Sequence, residues 1–260
     1  MGGYLWNLRP AARSGKDEAE TGIEDWVKRR LGFEPDETQA HVLRSESKRV
    51  ALNCTRQWGK STVTAAKAVH HAATRAESLT LVVSPSARQS AEFVRKATGF
   101  ARKLGVRPKG DGKNEISLAF PNGSRVIGLP GMEATVRGFS AVSLLLIDEA
   151  SRVSDDLYRA VRPMLAVSGG TLWLMSTPFG KRGFFYEAWA RGGPRWARYS
   201  VPAARCPRIA ESFLEEEKRA MGERWFRQEY ECEFVDAVSG VFDMETISRA
   251  VKDEVRPLEI

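Results

Sequence analysis

Three short runs, Leu79–Ser84 (LTLVVS), residues 142–147 (VSLLLI) and Thr171–Ser176 (TLWLMS), carry apolar residues at successive rather than alternate positions. A strand with one wet face alternates, whereas a strand apolar at every position must be covered on both faces. Each run is far shorter than the roughly 18 apolar residues a membrane span needs. Pro85 and Pro178 close two of them, and an acidic pair closes the third. Between the runs lie stretches of helix formers at residues 60–75, 87–104 and 155–165. Residues 49–53 read as a further buried strand. Residues 115–120 and 124–129 flank Pro121-Asn122-Gly123, a hairpin signal. The alternation predicts an α/β fold, a mainly parallel sheet sandwiched by helices. Ligands of such sheets bind outside the carboxyl ends of the strands, here after Asn53, Ile147 and Ser176.

The chain of 260 residues has room for one large domain with a small appendage. Residues 1–20 are polar and Gly-rich and are expected to be mobile. A helix at 23–31 stops near Gly32, and Asp36 caps a second helix carrying Gln39, Val42 and Leu43. A core at 21–193 is expected. Beyond it the pattern changes to one strand (196–201) and two helices rich in charge and aromatics (210–222 and 223–234), read as a lid subdomain at 194–240. Residues 241–260 read as a linker. No secretory signal is visible. Cys54, Cys206 and Cys232 are too scattered for a disulfide framework, which fits a reducing compartment. Neighbouring residues cannot share a helix face, so His70 and His71 are expected on a solvated surface. The net charge of +7 favours polyanions weakly.

The segment after the first strand is Cys54-Thr55-Arg56-Gln57-Trp58-Gly59-Lys60-Ser61-Thr62. It fits GxxxxGK[ST] except that Cys54 stands for the first Gly. The physics survives, because N–H groups at a helix start favour phosphate whatever precedes them. Gly59 permits close approach, Lys60 reaches the β- and γ-phosphates, and Ser61 is a Mg²⁺ ligand. Residues 55–62 are therefore expected to bind a nucleotide. Arg56 is expected to contact or sense the γ-phosphate.

Asp148 and Glu149 end the most apolar strand. Two carboxylates there are costly unless they meet a cation. Asp148 is expected in the Mg²⁺ shell and Glu149 as the base that polarises the attacking water. No guanine-reading motif is visible, so the nucleotide is expected to be ATP. Ser176 and Thr177 end the next strand and are candidates to report loss of the γ-phosphate; an ordinary Pro-Gly turn explains them equally well. Arg137 is expected on a rim loop, within reach of a neighbouring subunit's nucleotide. Gln39 is expected to read the adenine edge. Arg88, Arg95, Lys96, Arg102 and Lys103 read as spread around their helix, a solvated face; Lys113, Lys181 and Arg182 are other candidates for DNA contact.

Taken together, these motifs resemble the ATPase domain of phage terminase large subunits. The resemblance rests on Arg56-Gln57-Trp58-Gly59-Lys60-Ser61, Arg137-Gly138, the strand ending Asp148-Glu149-Ala150, Ser176-Thr177-Pro178, and the segment from Phe226 to Val235, in that order. It runs from about Asp36 to about Asp243. It implies a P-loop NTPase of the additional-strand catalytic-glutamate (RecA-like) type, with a ring motor that uses ATP and Mg²⁺ to push double-stranded DNA into a procapsid. Implied partners are DNA, a portal protein and a small terminase subunit. The motor is a homo-oligomeric ring when assembled and a monomer in isolation, in the cytoplasm of the infected bacterium and with no membrane. The resemblance also gives Arg56 and Arg137 arginine-finger roles, in cis and in trans. Such proteins usually continue into a nuclease. Asp243, Glu245 and Asp253 lack the strand context of a metal site, so no DNA cleavage is expected from these residues.

Two other readings stay open. A superfamily 2-like helicase or translocase needs a second RecA-like domain, for which the residues after 193 are too few. A nucleotide-gated DNA-binding module without turnover has no use for a base at Glu149.

Overall fold

The computed structural model describes residues 22–131 and 138–236. The expectations for residues 1–20 and 241–260, for Asp243, Glu245 and Asp253, and for Arg137 lie outside the described residues.

Two helices precede the sheet. α1 (Ile23–Leu31) ends at Gly32, whose φ of 54° supplies the left-handed stop. α2 (Glu37–Leu43) begins with a capping box. The Asp36 carboxylate accepts from the Gln39 backbone N–H at 2.8 Å, and the Gln39 side chain accepts from the Asp36 N–H at 3.1 Å. Then β1 (Arg49–Cys54) leads into α3 (Lys60–Thr74), and β2 (Leu79–Ser84) into α4 (Ala87–Lys103). The hairpin β3 (Ser117–Ala119) and β4 (Arg125–Pro130) follows, then β5 (Leu144–Asp148), α5 (Asp155–Val161), β6 (Thr171–Ser176), α6 (Gly183–Arg191) and β7 (Ala197–Val201). α7 (Glu211–Met221) and α8 (Glu223–Glu229) complete the described chain.

The seven strands form one sheet in the order β3-β4-β2-β5-β6-β1-β7, with every pairing parallel except the β3–β4 hairpin. The continuous apolar runs are explained by two separate cores. Val50, Leu52, Leu144, Leu146, Trp173 and Met175 pack with α1, α2, α3 and α4 on one face. Ala51, Leu145, Ile147, Leu172 and Leu174 pack with α5 and α6 on the other.

Four expectations need correction. The core does not close at residue 193, because β7 pairs with β1 along Val50–Cys54 and extends the sheet. The helix expected at 155–165 is α-helical only to Val161. Pro163 has no N–H to donate, and the chain tightens into a 3₁₀ turn over Arg162–Leu165. The second lid helix stops at Glu229, short of Phe234. His70 and His71 are not on a solvated face: α3 is packed on two sides. His71 is buried against the sheet, while half-buried His70 meets Trp26 of α1 edge-on at 4.8 Å. An arginine only donates, so the 3.3 Å contact from Arg75 Nη1 makes His71 Nδ1 the acceptor. His71 Nε2–H therefore donates to Ser143 Oγ at 2.8 Å, which in turn donates to the Leu79 carbonyl at 3.0 Å.

Candidate nucleotide site

The ends of β1, β6 and β5 lie side by side, which brings the motifs read in the sequence together. After Cys54 the loop turns through Gln57 (φ 62°) and Gly59 (φ 95°), and Lys60 opens α3. A side chain at position 59 would be strained by that φ and would also crowd the Gln39 amide, 3.3 Å from an added Cβ. The Thr62 and Val63 N–H groups already bond the Gly59 carbonyl.

Buried Lys60 places Nζ 3.0 Å from Glu149 Oε1. Burial alone would lower the Lys60 pKa, but attraction from Glu149 and then Asp148 outweighs it, and the ammonium is held above its ordinary value. Ser61 Oγ donates to Asp148 Oδ2 at 3.2 Å. Burial pushes the Asp148 carboxyl upward and the neighbouring Glu149 charge adds to this, against Lys60 and the bonds from Ser61 and the Glu149 N–H. Glu149 sits in the left-handed region at φ 49°, a costly conformation for a residue with a Cβ and one found at functional turns. It turns the chain from β5 into a 3₁₀ turn (Ala150–Arg152).

β6 lies between β1 and β5, so Ser176 and Thr177 emerge between the phosphate loop and the acidic pair. Ser176 Oγ lies 3.5 Å from Glu149 Oε2 and 2.7 Å from Ser151 Oγ, and Ser151 Oγ donates to the Thr177 carbonyl at 2.9 Å. Thus Ser151, which the sequence did not single out, ties the loop after β5 to the end of β6.

The side chains of the phosphate loop are turned toward the C-terminal elements. Arg56 Nε bonds Glu229 Oε2 at 2.5 Å, and this bond raises the guanidinium pKa above its ordinary value against the opposing effect of burial. Thr55 Oγ1 donates to the Glu229 carbonyl at 3.0 Å, and Asn53 Nδ2 to the Cys232 carbonyl at 2.7 Å. The Trp58 ring is fully buried in the core, and Gln57 is exposed. The Trp58 carbonyl accepts from Gln39 Nε2 at 3.0 Å and from Arg208 Nη2 at 2.5 Å, while Arg208 Nη1 reaches Asp36 Oδ2 at 2.9 Å. Gln39 is therefore buried, with its oxygen and one N–H engaged inside the protein. Glu229 and Arg208 are further site residues that the sequence did not reveal. A cleft of about 450 Å³ opens beyond Ser61, Asp148 and Glu149, walled by Arg88, Gln89, Glu92 and Lys96 of α4.

Residues 52–249 match the family described as terminase large subunit, T4likevirus-type, N-terminal. The chain belongs to this terminase family. The large terminase subunit of Escherichia phage T5 is 27% identical over 180 residues, 66% of this chain and 41% of the relative. That of Thermus virus P23-45 is 24% identical over 82% of this chain and 51% of the relative, so the terminase chain described here spans about half the length of such relatives or less. Its fold is similar to the Thermus phage P74-26 large terminase ATPase domain, with a TM-score of 0.73 and 22% identity over 83% of this chain and 100% of that one.

Proposed function

We propose that this chain is the ATP-hydrolysing motor domain of a large terminase, driving double-stranded DNA into a procapsid. The observation that carries the reading is the meeting of Lys60 and Ser61, at the start of α3, with Asp148 and Glu149, at the end of β5; the Lys60–Glu149 pair lies at 3.0 Å. A large terminase from a thermophilic bacteriophage with a similar fold (TM-score 0.67, 13% identity) was solved in complex with ADP, which supports a nucleotide here.

The loop at residues 55–62 cradles the phosphates, and Lys60 exchanges part of its contact with Glu149 for phosphate oxygens. That exchange frees Glu149 to orient the attacking water and accept its proton. Asp148 and Ser61 fit Mg²⁺. Two adjacent carboxylates at a buried strand end favour a divalent cation, and the described residues hold no cluster of three or more His, Cys, Asp or Glu that could bind one alone. Phosphate and water would supply the remaining ligands, the usual arrangement for this ion. When bound, Mg²⁺ neutralises charge on the β- and γ-oxygens. Arg56 leaves Glu229 for the γ-phosphate as a finger in cis, and Arg137 serves as the finger in trans. Ser176 and Thr177 couple the state of Glu149 to the rest of the sheet. Gln39 faces the adenine with its remaining N–H, and the chain beyond β7, with α7 and α8, forms the lid that closes over the site. DNA, a portal ring and a small terminase subunit are the partners, in a ring assembled in the infected cell's cytoplasm. Among the described residues no helix is long and apolar enough to cross a membrane.

The test is Glu149→Gln in steady-state ATP hydrolysis with nucleotide binding measured in parallel. Turnover is expected to fall by about 10²–10⁴ while ATP binding persists. Retained turnover would remove Glu149 from the mechanism, and an inactive wild type that binds ATP would favour a binding module.

A further inference from the structure

The exposed face of α4 is mainly cationic, interrupted by the Glu92–Arg95 pair; it begins at the cleft beside Glu149 and ends in a basic groove at the far end of the helix. α4 buries Ser90, Phe93, Val94, Ala97 and Ala101. These positions all fall on one side of a helix with 3.6 residues per turn. Arg88, Arg95 and Arg102 recur every seven residues on the other side, and Lys96 and Lys103 lie beside them. The cations therefore share one face rather than encircling the helix, contrary to the sequence reading. Glu92 is the only acid in the helix, and it is paired with Arg95 at 2.6 Å.

The two ends of the face have different surroundings. Arg88 and Lys96 wall the cleft that contains Asp148 and Glu149. At the other end the chain continues through Arg107 and Lys109 into a groove of about 700 Å³, also lined by Arg125 and by Asp111. Asp111 remains ionised and offsets Arg125, so the net positive charge of the groove comes from Arg107 and Lys109. Its carboxylate is taken up by the Lys113 and Asn114 backbone N–H groups, the Asn114 amide and Ser117, and Arg125 lies 3.5 Å away. Arg102, Arg107 and Lys109 are exposed, and no ion pair engages them among the described residues. Lys181 and Arg182, the other candidates from the sequence, are engaged as Arg95 and Lys103 are. Lys181 bonds Asp236 at 3.0 Å and Arg182 lies over the Phe179 ring, while Arg95 bonds Glu92 and Lys103 lies over the Phe100 ring, so the cations that carry this surface are Arg88, Arg102, Arg107 and Lys109.

We propose that the α4 face and the groove at Arg107 and Lys109 form the track on which this chain holds the phosphate backbone of double-stranded DNA. The proposal rests on the motor reading and names the surface that meets its substrate. From Arg88 to Arg102 the helix rises about 21 Å, and duplex DNA carries one phosphate charge per about 1.7 Å of axis. Exposed guanidinium groups at such spacing suit a polyanion of fixed pitch and read no base. Because the track starts at the cleft beside Glu149, DNA on it sits where its position bears on turnover.

The test uses the whole chain with a fluorescent duplex of about 30 base pairs and arbitrary sequence, long enough to span the track, followed by anisotropy across a salt series. Arg102→Glu combined with Arg107→Glu is expected to weaken binding about tenfold or more and to lower the slope of log K against log salt by about 2. Hydrolysis without DNA is expected to stay at the wild-type level, and stimulation by DNA to be lost. Wild-type affinity and slope in the variant would overturn the track while leaving the motor reading intact. A wild-type chain that hydrolyses ATP but binds no duplex would overturn both.

Discussion

Arg208 holds two parts of the nucleotide site at once. One nitrogen bonds the N-cap carboxylate of α2 and the other bonds the carbonyl that precedes Gly59. Gln39 donates to the same carbonyl. Removing Arg208 should therefore loosen the phosphate loop before any chemistry occurs. Its guanidinium is about half exposed, so the expected cost is about 1 kcal/mol, or roughly fivefold in KM for ATP. Arg208→Ala is expected to raise KM with kcat nearly unchanged, the signature of lost uniform binding. Arg208→Lys should recover little, because an ammonium does not present the planar fork that spans both oxygens. If kcat falls in step with thermal stability while KM holds, Arg208 is only a structural brace. No local pattern in the sequence marks this residue, nor Glu229. They reach the phosphate loop across 150 and 173 residues respectively. The positions of Lys60, Ser61, Asp148 and Glu149 were legible because each is fixed by a helix start or a strand end within a few residues of its own motif.

Among the elements, α3 shows where pattern reading works and where it stops. Its start at Lys60 follows from the glycine and the strand before it, and its length from the absence of breakers. That it would be packed on two sides depends on α1 and the sheet, and the burial of His70 and His71 follows from that. Burial, reinforced by Lys67 and Arg75, pushes His70 down to about 4; burial with Arg75 does the same to His71. An unfolded chain would titrate these rings near 6.5. Between pH 6.5 and 4 the unfolded state thus binds more protons than the native state. The stability held above pH 6.5 is lost as pH falls through that window. Each ring contributes on the order of 2 kcal/mol between pH 6.5 and 4.5. Asp111, held down to about 2 by its hydrogen bonds against burial, titrates below this range. Urea unfolding is expected to show this fall. His71→Gln, which keeps a donor for Ser143 but does not titrate, should remove about half of it. An unchanged pH slope in the variant would mean that His71 is protonated in the native state. Other boundaries followed the same division. Pro163 ended a helix that the apolar spacing alone would have continued. β7 joined the core sheet through pairing with β1 that no local signal announces.

At the scale of the molecule, the proposed site lacks one component within the described residues. Arg56, Lys60 and Glu149 all follow the carboxyl ends of β1 and β5 on one edge of the site, whereas Arg137 stands in the segment before β5, outside the described residues. In the proposed ring it acts on the neighbour's nucleotide, so the base and the finger of one working site come from different subunits. Two inactive variants should then complement each other. An Arg137→Ala subunit keeps Glu149 and lacks only the finger it would donate; a Glu149→Gln subunit keeps the finger and lacks the base. Where they adjoin in the right order, the intact base of the first meets the intact finger of the second. A finger contributes roughly 10³–10⁵ in turnover, so even a minority of such junctions would exceed the background of either variant alone. The two are mixed at equal concentration, in the range where wild-type specific activity has stopped rising with protein concentration. The mixture is expected to restore a substantial fraction of turnover. If Arg137 acted within its own subunit, each site would lack either its base or its finger whatever its neighbour, and the mixture would stay as inactive as its parts.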